Sequence, residues 1–138
     1  MPDAKQTLTK LYAAWANNDP DALDSLLVDD YVDHDPMPGF PADKAGAKQT
    51  LTAIMDATKD AEMTIGGIVA DGDAAAGNWT MEWTQVGDFM GQIPADGKRL
   101  RMRGHDFFRL RDGLIAETWH VEDVFGILVQ LGVIPGAS

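Results

Sequence analysis

Acid–base chemistry near neutral pH is most readily done by imidazole, and the chain has three: His34 in "YVDHDP", His105 in "RGHDFF" and His120 in "ETWHVED". His105 and His120 flank Asp112-Gly113, a strong hairpin signal. A two-residue turn there sets Arg111 opposite Leu114, Arg109 opposite Ala116, Phe107 opposite Thr118 and His105 opposite His120. One face then carries Arg103, His105, Phe107, Thr118 and His120; the other carries Met102, Asp106, Phe108, Ile115, Glu117, Trp119 and Val121. A bulge or a one-residue slip would separate the two histidines. Paired imidazoles resist double protonation, so one could act as a neutral base and the other as a protonated donor. The alternative is a hydrogen-bonded pair that only satisfies buried polar groups. His34, with Asp35 beside it, either reaches the mouth of the same cavity or lies on the surface.

Other side chains are assigned around this pair. Arg103 shares the histidine face and either anchors a carboxylate or enolate oxygen or pairs with Glu122, its cross-strand partner in this register. Trp15, Trp79, Trp83 and Phe107 read as core residues, some of them lining a pocket for a flat apolar substrate, with Thr118 beside His120. Glu117 and Glu122 read as structural or solvated, and Asp123 as the N-cap of a last helix. No short or helical ligand spacing supports a metal site among the histidines.

The elements that must position these groups follow from periodicity. Leu8, Leu11, Tyr12 and Trp15 form one face of a first helix. Asp19 caps a second, with Pro20 at its first position and Leu23, Leu26 and Leu27 inward. "YVDHDPMPGFPAD" is irregular, because its prolines and glycine break helix and ladder alike. A third helix runs from about Lys44 to Thr58. Strands follow in "AEMTIGGIVADGD", "AAAGNWTMEWTQVG" and the two arms of "LRMRGHDFFRLRDGLIAETWHVED"; "VFGILVQLGVIP" is a short closing helix. Helices first and an antiparallel meander after give an α+β fold, a curved sheet wrapped over N-terminal helices into a cone with an apolar interior.

Composition narrows the partners. The 138 residues read as one domain, with 22 acidic against 11 basic side chains and a net charge of -11. That charge opposes nucleic acid and anionic membrane surfaces. No cysteine is present, which excludes disulfides, thiolate metal sites and a cysteine nucleophile. "MPDAKQTLTK" has no apolar signal core, so a cytoplasmic location is expected.

"YVDHDP", Gly46 opening a helix, "RGHDFFRLRDGLIAETWHVED" and "QLGVIP" together resemble the SnoaL-like polyketide cyclases, also labelled ester cyclases, of the nuclear-transport-factor-two-like superfamily. The resemblance runs from about Leu8 to Pro135. It implies a cone-shaped α+β barrel, often a homodimer through the sheet, that closes a ring by intramolecular aldol condensation of a small apolar carbonyl compound without a cofactor. It implies a pocket lined by histidine and aspartate. His120 stands where cyclases often carry aspartate, His34 and His105 where the superfamily places polar pocket groups, and Asp35 near the general base of ketosteroid isomerases. A ketosteroid-isomerase-like enzyme, an epoxide hydrolase or a non-catalytic binding protein of the same fold are the alternatives. Epoxide hydrolases of this fold combine one arginine with two aspartates, and the Arg103–His105 pattern departs from that.

Overall fold

The computed structural model describes residues 2–135. Helix α1 (Ala4–Ala16) begins in a reciprocal cap: the Asp3 carboxylate accepts the Gln6 N–H and the Gln6 side chain accepts the Asp3 N–H. It buries Leu8, Leu11 and Tyr12 against the sheet, each apolar side chain contributing about 1.5–3 kcal/mol. The second helix of the sequence reading is shorter than expected. Pro20–Ser25 forms only a 3₁₀ turn, capped by Asp19 as anticipated. Leu27, expected on the inward side of that helix, instead opens a strand, β1 (Leu27–Asp33), whose last three residues fall in the stretch expected to be irregular. Helix α2 (Lys44–Ala57) lies where its pattern placed it, with the Asp43 carboxylate on the Gly46 N–H.

Four long strands follow: β2 (Thr58–Asp71), β3 (Ala74–Gln85), β4 (Arg99–Arg111) and β5 (Leu114–Glu122). Helix α3 (Val124–Gln130) closes the chain, and Asp123 caps it by accepting the Gly126 N–H at 2.9 Å. The curved, unclosed sheet has the order β1-β5-β4-β3-β2. The last four strands form the expected antiparallel meander; β1 adds to the β5 edge in parallel. Asp112 and Gly113 both take positive φ, 53° and 78°, as a two-residue hairpin turn of this type requires.

The two faces of β4 differ sharply. Leu100, Gly104, Phe108 and Leu110 are buried, whereas Arg99, Arg101, Arg103, Arg109 and Arg111 all lie exposed on the outer face. Guanidinium groups stay charged and keep to water, so this alternation fixes which side of β4 meets the core.

The register of β4 against β5 departs from the simple hairpin. Arg111 pairs with Leu114 and Leu110 with Ile115, but Arg109 pairs with Glu117, so Ala116 is an extra residue. This bulge shifts every later pair by one. Phe107 faces Trp119 and His105 faces Val121, while Asp106 faces His120. His105 and His120 therefore lie on opposite faces, and the expected histidine pair does not form. One bulged residue exchanges the faces of everything beyond it.

Candidate active site

The bulge turns His120 inward and brings it beside Asp106 and Glu122, with ligand-type atoms of the three all within 4.8 Å of one another. The His120 Nδ1 lies 2.5 Å from Glu122 Oε1, and Nε2 lies 3.0 Å from Asp33 Oδ2. An imidazolium donates from both nitrogens at once and suits this bracket. Burial alone would lower the His120 pKa; the hydrogen bonds to Asp33 and Glu122 and their charges overcome it and push the value up to about 10. The group is reachable from solvent, with side-chain exposures of 17% at His120, 18% at Asp33 and 26% at Glu122.

Asp106 is the second chemical group. Its Oδ2 accepts the Tyr12 O–H at 2.8 Å and the Trp79 Nε1–H at 3.0 Å. Burial pushes its pKa up, and these two bonds act in the opposite sense. Tyr12 is raised by burial and by the neighbouring Asp106, so its phenol stays protonated and remains a donor. Thr7 sets the height of α1 by donating to the Gly113 carbonyl at 2.6 Å.

The short loop after β1 supplies the outer wall. The Asp35 carboxylate accepts the His120 backbone N–H at 3.0 Å, taking the place of a strand acceptor at the sheet edge. Pro36 follows, so the chain cannot hold helical geometry there. Asp33 points to the His120 ring, and the intervening His34 points the other way. His34 stacks on Trp119 with 4.4 Å between centroids and a 9° tilt, and its Nε2 meets Glu117 at 3.0 Å.

The other expected site residues separate by face. His105, Phe107 and Arg103 are exposed on the outer side of β4, so none shares the face of His120. Arg103 does not meet Glu122, which pairs with Gly104 and faces the histidine. Thr118 is buried and accepts the Tyr31 O–H at 2.8 Å. Trp15 packs against the main core, and Trp83 lies in a second cluster with Leu100 and Ile127, its Nε1–H donated to Gln85 at 2.7 Å. Trp79 alone of the expected aromatic residues touches the reactive group. Two open concavities of about 420 and 520 Å³, near Lys48 and Thr52 and near Asp3 and Ile68, lie away from it.

Asp33, Asp106 and Glu122 are the functional candidates that the sequence reading passed over. Asp106 had a readable signal, since it shares its parity with Leu100, Phe108 and Leu110. Asp33 shares its parity with buried Tyr31. Glu122 had none without the bulge. Asp106, His120 and Glu122 each offer one ligand atom of the type that holds a cation.

Comparison with known proteins places this geometry. The family model described as SnoaL-like polyketide cyclase matches residues 5–131. The chain belongs to that family. The structure of TsrD from Streptomyces laurentii superposes with a TM-score of 0.85 at 30% identity, covering 94% of this chain and 95% of that one. IdmH from Streptomyces antibioticus, a candidate polyketide cyclase, gives 0.80 at 31% identity over 94% and 98%. A candidate polyketide cyclase from Acidithiobacillus ferrooxidans gives 0.77 at 27% identity over 94% of each chain. No curated protein matches the sequence. Among the described residues no helix is long and apolar enough to cross a membrane.

Proposed function

We propose that this SnoaL-like protein closes a ring in a small apolar carbonyl compound by intramolecular aldol condensation, with Asp106 as base and His120 as donor. The observation that carries the reading is the placement of Asp106 beside a bracketed, protonated His120 on the core face of the sheet. In the proposed reaction the Asp106 carboxylate takes the proton alpha to a carbonyl. His120 stabilises the enolate oxygen through an N–H. The longer of its two carboxylate bonds, the 3.0 Å contact to Asp33, is the one that the enolate oxygen replaces. The enolate carbon then attacks a second carbonyl and forms the C–C bond. The resulting alkoxide recovers the proton held by Asp106, which returns to carboxylate. Atoms and charge balance within substrate and protein, so the scheme calls on no cofactor.

The same reading includes a homodimer through the outer face of the sheet. Phe107 and Val121 are exposed there at 41% and 66%, next to the His34–Trp119 stack.

Solvent-deuterium uptake by a panel of small ketones and β-keto esters, followed by mass spectrometry, tests the chemistry. The wild type is expected to accelerate uptake for at least one compound. Asp106→Asn should cut that rate by about 10²–10⁴-fold, the range for a positioned base. No uptake by the wild type across the panel, or an undiminished rate in Asp106→Asn, overturns the assignment.

A further inference from the structure

Asp106 is held by one oxygen only. Oδ2 carries both hydrogen bonds, from Tyr12 and from Trp79. Among the described residues no hydrogen bond reaches Oδ1, and Oδ1 is not fully buried. The two oxygens of one carboxylate thus have different environments, one saturated and one free.

Two glycines make this possible. Gly77 is the β3 partner of Asp106, and a Cβ there would overlap the Tyr12 ring. Gly104, on β4 two residues before Asp106, pairs with Trp79, and a Cβ there would overlap the indole. Each glycine lets an aromatic ring lie flat on the sheet, close enough for its polar atom to reach the same oxygen. Aromatic side chains with a polar tip do this well, because the ring packs while the tip bonds. Apolar packing alone would accept phenylalanine at both positions.

We propose that Tyr12 and Trp79 are positioning residues that immobilise Asp106 through Oδ2 and leave Oδ1 as the single oxygen that removes the substrate proton, with Gly77 and Gly104 as the clearances that admit them. This rests on Asp106 being the base, as in the function proposed above. Neither aromatic residue touches substrate in this scheme. They act by stopping carboxylate rotation and by stabilising its ionised form, as positioned donors do.

The test uses the full-length protein with Asp carboxyls labelled with ¹³C, and Asp106 assigned by its loss in Asp106→Asn. Tyr12→Phe keeps the ring and removes one donor; Trp79→Phe removes the other. Each is expected to raise the Asp106 titration midpoint by about 1–2 pH units, the worth of one charge-assisted bond. Gly77→Ala should displace the Tyr12 ring, and adding it to Tyr12→Phe should move the midpoint little further. With any panel ketone that the wild type exchanges, Tyr12→Phe should lower kcat with little effect on KM and shift the acid limb of the pH profile upward by the same amount. A midpoint unmoved in both aromatic variants overturns the clamp. The function reading fails separately, through Asp106→Asn retaining full exchange. An unmoved midpoint together with an inactive Asp106→Asn leaves the base assignment standing and removes only the clamp. Should Tyr12→Phe lose its fold, the Trp79→Phe titration decides.

Discussion

An ordinary histidine with a pKa of 6.5 is only about 3% protonated at pH 8. His120, pushed up to about 10 by its two carboxylates, should be about 99% protonated there. The perturbation that tests the cause is removal of the carboxylates one at a time. Each charge-assisted hydrogen bond is worth about 1.5–3 kcal/mol, which converts to about 1–2 pH units at 1.36 kcal/mol each. Asp33→Asn and Glu122→Gln should therefore each bring the midpoint down by that amount. The two losses together should bring the double variant down by about 2–4 pH units, with burial opposing the charged form throughout. Long-range ¹H–¹⁵N spectra of the imidazole nitrogens read the charge state directly. The linkage has a definite sign. The folded pKa lies above the unfolded value, so the stabilisation from His120 is complete below about pH 6.5 and is lost as pH rises through about 10. The stability gap between wild type and His120→Gln in urea should narrow over that window. A wild-type midpoint near 6.5 would refute the bracket and, with it, the donor role of His120.

Further outcomes follow from the same geometry. Deleting Ala116 removes only the bulged residue, so Arg109 should stay opposite Glu117 and Asp106 opposite His120; the variant should fold and keep the raised His120 midpoint. A His120 midpoint that falls to the ordinary histidine value in this variant would mean that the deletion is absorbed by a slip of β5 rather than by loss of the bulge. Asp123→Ala should cost about 1 kcal/mol through the lost cap of α3, by thermal or urea melts, and leave the His120 titration alone. Trp119→Arg on the outer face should convert a dimer to monomer in sedimentation velocity if that face is the interface; a wild type that sediments as a monomer at high concentration removes the homodimer from the proposal.

Much of this was legible in the amino-acid sequence because local physics decides it. The caps at Asp19 and Asp123, the α2 helix, the hairpin turn at Asp112-Gly113 and the run of strands after α2 rest on side chains acting within a few residues. The alternation of arginine with apolar residues along β4 marks its buried face, and that parity already places Asp106 on the core side. Tertiary structure decided the rest. β1 lies in a stretch rich in turn formers and is a strand only because the β5 edge offers it partners. The bulge at Ala116 has no marker in "GLIAETWHVED", where neither parity is cleanly apolar. One unpaired residue there separates His105 from His120 and replaces a pair of histidines with a histidine among three carboxylates, a composition that no count of residue types along the chain contains.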